Sequence, residues 1–142
     1  MAGGLPSLDE IVGNFEFLDD WEDRYRYLIE LGRELPPYPE AARDETHKVR
    51  GCASQVWLET EAGQGADPEI AVLADSDAHI VRGLVALALA SLGGRRASEI
   101  EAFDMNALLA RIGLDEHLTP QRANGFASLV GRIKDSARAA RA

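Results

Sequence analysis

Cysteine is nearly absent: the 142 residues contain one, Cys52. No internal disulfide can form, and a metal or cluster site built wholly of cysteine is excluded. Basic residues are also scarce. Fifteen lysines and arginines stand against twenty-four acids and leave a formal net charge of −9. Nucleic-acid binding leans on cations meeting phosphates, so a chain this acidic is a poor ligand for DNA or RNA, and equally for anionic membranes. Long apolar runs are missing too. The longest, Leu84 to Ala90, falls far short of the roughly 20 residues a membrane helix needs. The opening Met1-Ala2-Gly3-Gly4-Leu5-Pro6-Ser7 has neither a basic start nor an apolar stretch, so no secretory signal is expected and the chain reads as cytoplasmic. No repeat and no low-complexity tract breaks it up.

What is present fits one domain over residues 1–142, with 46% apolar residues to build its core. The charge is unevenly placed. Thr119 to Ala142 holds five basic residues and one acid, a local +4, which leaves −13 on residues 1–118. An acidic body with a basic last helix suits charge-steered docking to a protein partner; a solvated helix face is the plainer alternative.

The pattern of elements is α+β, a small antiparallel sheet with helices packed on it. Ser7 and Glu10 have capping-box spacing before a short helix to about Phe17. Asp20 offers a second cap, followed by Trp21, Tyr25, Leu28, Ile29 and Gly32 at helical spacing and an end near Leu35 enforced by Pro36, Pro37 and Pro39. Val56-Trp57-Leu58 and Ile70 to Leu73, joined by a Gly-rich polar loop, predict a hairpin. Asp75-Ser76-Asp77 is expected to cap a helix running through Leu92, apolar nearly all round and so the central core helix. Ser98 and Glu101 suggest a further capping box, Asp104 opens a helix closed by Gly113, and Thr119-Pro120 starts the last helix, whose Ala/Arg-rich end is expected to fray.

Cys52 is the candidate nucleophile. Gly51 beside it permits an unusual backbone angle or the close approach of another protein, Lys48 and Arg50 would favour a thiolate, and Ser54 and Gln55 offer hydrogen bonds to the loop. The plain alternative is a small buried hydrophobe. His47, His79 and His117 provide no spacing typical of a Cys/His hydrolase or of a zinc site. Asp75 and Asp77 can be read as paired acid/base carboxylates, though capping explains them better. Arg122 stands in the first turn of the last helix, where the helix dipole does not favour a cation, and so hints at a tertiary or partner contact.

Gly51-Cys52-Ala53-Ser54-Gln55-Val56-Trp57 closely resembles the G-C-x-S-Q-V-W signature of the SufE family of sulfur acceptors. Trp21 to Gly32 is similar to that family's first long helix, Asp75 to Leu84 to its D-S-D-x-x-I-V-x-G-L stretch, and His117 to Gly125 to its H-L-T-P-x-R-x-x-G stretch. The departures are Ala53 where glutamine is common, the Gly-rich hairpin loop and a few extra N-terminal residues. The resemblance implies an α/β domain of the kind shared with IscU-like cluster scaffolds. It also implies a carrier: Cys52 would take persulfide sulfur from a pyridoxal-phosphate cysteine desulfurase of the SufS type, stimulate that enzyme and pass sulfur to an iron–sulfur scaffold protein. Gly51, Ser54, Gln55, Asp75, Asp77 and Arg122 would support the loop or the partner contact. Such a carrier is a transfer partner more than an enzyme and needs neither metal nor cofactor of its own. A regulatory module that docks on a desulfurase-like enzyme without carrying sulfur is the alternative, and Cys52 separates the two.

Overall fold

The computed structural model describes residues 5–52 and 54–141. Helices α1 (Leu8–Phe17) and α2 (Trp21–Arg33) come first, then strands β1 (Val56–Ala62) and β2 (Ile70–Ser76), then helices α3 (His79–Leu92), α4 (Ala97–Ala102), α5 (Met105–Ile112) and α6 (Pro120–Arg141). This is the expected α+β order. The first two helices begin where their caps predict: Ser7 Oγ accepts the Glu10 N–H at 3.2 Å and Asp20 Oδ1 the Glu22 N–H at 2.9 Å.

The hairpin is antiparallel, with Val56 opposite Ser76 and Ala62 opposite Ile70. Alternate residues face α3: Val56, Leu58, Ile70, Val72 and Ala74 are all buried. The other edge of β1 is also partnered. Val49 N–H donates to Val56 O at 2.8 Å and Leu58 N–H to His47 O at 2.9 Å, so residues 47–49 flank β1 through an isolated antiparallel bridge between Lys48 and Trp57. The loop between Val49 and Val56 carries Cys52 and is therefore closed at its base by backbone hydrogen bonds.

The central helix is α3, buried from Gly83 through Leu89. Each of Leu84, Val85, Leu87, Leu89 and Leu92 contributes roughly 1.5–3 kcal/mol by leaving water. It crosses α2 at backbone contact. A Cβ on Gly83 would stand 2.6 Å from Leu28 Cγ, and one on Gly32 would stand 2.8 Å from Gly83 N. Only glycine fits such a crossing.

Three local expectations differ from the structure. The α3 cap residue is Ala78, with no side-chain cap; Asp75 and Ser76 belong to β2, where Asp75 is taken up by tertiary contacts described below and Ser76 pairs with Val56. The α4 cap is Arg96, whose N–H donates to Glu99 Oε1 at 3.0 Å, while Ser98 lies inside the helix and is held by Asp67. The end of α6 does not fray. It is helical to Arg141, with Ala137 buried and Arg138 and Arg141 both paired to Glu101. No described helix is long and apolar enough to cross a membrane.

Candidate functional site

Gly51 takes φ +86°, the left-handed region open to glycine, and turns the chain so that the Cys52 side chain points at α6. Cys52 Sγ donates to Gly125 O at 3.4 Å and is partly buried. Beside it lies a cavity of about 220 Å³. Its walls are apolar: Val56 from β1, Val81, Leu84 and Val85 from α3, and Phe126 and Leu129 from α6. Its mouth is polar, made by Ser54, Thr119, Gln121 and Arg122. Burial pushes the Cys52 thiol above the ordinary thiol value.

The expected cationic activation of that thiol is not built. Lys48 Nζ and Arg50 Nη1 turn to Glu45, at 4.0 and 3.5 Å. Nor does a histidine reach the cavity. His47 Nδ1 is 2.7 Å from Asp44 Oδ1, His117 stacks on Trp21, and His79 is exposed. Among the described residues no three histidine, cysteine or acidic side chains gather as metal ligands. The site is one thiol, an apolar pocket and a polar rim.

Asp77 and Asp75 divide their work. Asp77 accepts from the Gln55 N–H at 3.1 Å and the Gln55 side-chain amide at 3.4 Å, and its own N–H donates to Gln55 O at 3.3 Å. It ties the end of the Cys52 loop to the end of β2. Asp75 is buried and accepts from Arg43 at 2.7 Å and Arg82 at 2.9 Å, and from the Ser76 N–H at 2.8 Å. Neither is a cap and the two do not form an acid/base pair, because each is consumed by its own partners. Trp57, the last residue of the signature, faces the side of the sheet opposite the thiol. It packs with Tyr38 and Ala42 there, and the Arg43 guanidinium lies 5.0 Å from its ring. Arg122 is anchored through its N–H to Thr119 Oγ1 at 3.2 Å, and its side chain makes no ion pair among the described residues. Ala53 lies outside the described residues, as do Met1 to Gly4.

These residues match a known family. A model of the family described as "SufE: Fe-S metabolism associated domain" covers residues 9–137. The chain belongs to the SufE family. Among SufE-family relatives, an uncharacterized SufE-like protein of Rhizobium meliloti is 56% identical over 134 residues, 94% of this chain and 96% of the relative. A second from Rhizobium etli is 53% identical over 135 residues, 94% and 91% of the two chains. The fold is also similar to that of the solution structure of a hypothetical protein from Thermus thermophilus, with a TM-score of 0.75 at 22% identity over 96% of each chain. Membership associates the chain with iron–sulfur metabolism.

Sequence reasoning missed two parts of the site. The first is Gly125, although a glycine inside a helix costs about 1 kcal/mol relative to alanine and so signals a close approach. The second is the α3 wall of Val81, Leu84 and Val85, which helical periodicity alone assigns to an undivided core.

Proposed function

We propose that this chain is a single-domain sulfur acceptor and carrier. Cys52 takes a sulfane sulfur from the persulfide of a pyridoxal-phosphate cysteine desulfurase, docking stimulates that enzyme, and the sulfur is delivered to an iron–sulfur scaffold protein. The supporting observation is that the sole cysteine of a SufE-family chain sits on a tethered loop beside an apolar cavity with a polar mouth. The chemistry asks for little else. The Cys52 thiol gives up its proton, and the thiolate attacks the outer sulfur of the donor persulfide. A sulfur–sulfur bond forms at Cys52, the donor sulfur–sulfur bond breaks, and the donor cysteine leaves as a thiolate. No second cysteine is present to close a disulfide and expel the sulfur.

Arg122 at the mouth is suited to hold an anionic sulfur, and the apolar walls exclude stray thiols and oxidants. Asp77 and Gln55 keep the loop in register while Gly51 gives it its turn. Asp75 holds the sheet end behind it, and Ser54 lines the rim.

Intact mass after incubation with a desulfurase and cysteine, without reductant, tests the reading. The wild-type chain is expected to gain one sulfur that a thiol reductant removes, and Cys52→Ser to gain none. Equal gain in Cys52→Ser overturns the assignment. Undiminished desulfurase stimulation by Cys52→Ser, with no sulfur gain in either chain, favours a module that docks without carrying sulfur.

A further inference from the structure

Two small residues of α6, Gly125 and Ser128, face two residues of the loop, Cys52 and Gly51. A Cβ on Gly125 would stand 3.3 Å from Cys52 Sγ and 3.5 Å from both its Cα and its Cβ. One turn along, Ser128 Oγ is 2.8 Å from where a Cβ on Gly51 would be. A further turn along, Arg132 Nη1 donates to Lys48 O at 3.4 Å. The loop approach from Lys48 to Cys52 therefore lies along one face of the helix, near enough that a methyl on Gly125 would make Cys52 Sγ give by a few tenths of an ångström. Helix formation does not ask for glycine at this place, and it disfavours it. Gly131 on the same helix has open space where its Cβ would go, so closeness belongs to Gly125 in particular. The contact also discriminates chemically. A carbonyl oxygen only accepts, so the Sγ contact to Gly125 O is available to the thiol and lost by the thiolate.

We infer that Gly125 is a positioning residue whose missing side chain sets the depth at which Cys52 is seated against α6, and so how slowly the resting thiol reacts. The inference rests on the sulfur-acceptor reading only for its purpose: the seat keeps an idle thiol quiet until a partner lifts the loop. The charged groups around the seat are few. Arg122 approaches from α6, Lys48 and Arg50 on the loop's approach turn to Glu45, and Asp77 is occupied by Gln55. The α3 side of the cavity is apolar. Arg122 is the cation lining the cavity, Arg132 is turned to Lys48 O, and burial and the carbonyl both disfavour a thiolate.

The test is alkylation of Cys52 with iodoacetamide over a pH series, followed by intact mass, on the full chain. Gly125→Ala is expected to label at least about threefold faster at neutral pH with a lower apparent pKa, since the thiolate fraction changes tenfold per unit. Gly131→Ala is expected to label like wild type. Should Gly125→Ala lose its helical circular dichroism, Ser128→Val, which presses on Gly51 with a branched side chain, must give the same acceleration. A folded Gly125→Ala with wild-type rate and pKa overturns the seat, as does equal acceleration in Gly131→Ala. Sulfur uptake is read separately. Faster labelling without any sulfur uptake upholds the seat and overturns the carrier reading; sulfur uptake with no labelling change overturns the seat alone.

Discussion

Trp21 and His117 lie face to face, their ring centroids 3.5 Å apart and their planes 12° from parallel. Tyr25 donates its hydroxyl proton to the His117 carbonyl, and His117 Nδ1 is 3.1 Å from Gly113 O. Because a carbonyl only accepts, Nδ1 carries the hydrogen. Helix α2 thus grips the turn that launches α6, and with it the placement of Arg122 at the cavity mouth. His117→Ala is expected to cost about 1–2 kcal/mol, the sum of a ring stack and a hydrogen bond. Thermal melting and Trp21 emission, read against the constant contribution of Trp57, check this; an unchanged melt and spectrum would show that the stack holds nothing.

Gly83→Ala tests the crossing of α2 and α3. The new methyl meets the Leu28 backbone carbonyl and stands 2.6 Å from Leu28 Cγ, so the helices must separate. Overpacking of this kind costs about 3 kcal/mol, of which a better helix former returns about 1 kcal/mol. Urea unfolding should show a net loss of about 2 kcal/mol. Stability at or above wild type would mean that the crossing yields more easily than its geometry suggests.

Asp75→Ala leaves Arg43 and Arg82 without their shared carboxylate. Removing one partner of a buried pair costs about 3–5 kcal/mol. Both arginines keep partial contact with water, which brings the expectation to about 2–3 kcal/mol. Asp75→Asn, which can still accept from the Ser76 N–H, is expected to lose less. Equal losses in the two variants would assign the stabilisation to the carboxylate charge and not to packing or the Ser76 hydrogen bond.

Arg122→Ala is expected to keep its circular dichroism and melting temperature, because the Arg122 side chain makes no ion pair among the described residues. Desulfurase stimulation should fall by roughly tenfold, the size of one lost charged hydrogen bond. Unchanged stimulation would return Arg122 to an ordinary surface residue.

Partial burial pushes the Cys52 thiol above its ordinary value. For a group raised in the folded state, the stabilisation of the seated form is fully present below the unfolded thiol value and is lost as pH rises through the folded one. Alkylation of the free chain is therefore expected to be slow at neutral pH and to accelerate only in alkali. Docking of a catalytically dead desulfurase is expected to raise the neutral rate. Fast labelling of the free chain, with a thiol more acidic than usual, would refute the sheltered resting state.

The local code of the sequence is legible where one residue decides one contact. Ser7, Asp20, Asp104 and Thr119 begin helices as their side-chain oxygens predict, and Gly113 ends α5 with a left-handed φ of 77°. Reading fails where a tertiary partner competes for the same group. Asp75 has the spacing of a cap, but two arginines distant in the chain claim it. Ser98 likewise answers to Asp67, and the last turn of α6 to Glu101. Trp57 is legible as a strand residue, and strand alternation puts it on the face opposite the thiol, under Arg43. At the candidate site, Cys52 and Arg122 stand out by residue type. The cavity between them does not, because Val81, Leu84 and Val85 look like any other core positions in a helix that is apolar all round.

The isolated bridge beside β1 fixes a distance. Val49 and Val56 are hydrogen-bonded to each other, so the intervening loop is a tether with both ends fixed. Cys52 is three residues from the nearer anchor, and a fully stretched chain covers about 3.5 Å per residue. The Cys52 Cα can swing outward by no more than about 10 Å from Val49 without breaking that bridge, and the thiol reaches beyond this only by its own side chain. A donor sulfur recessed further than that beneath its own protein surface lies beyond the loop's span, and the donor must bring its sulfur out to meet it.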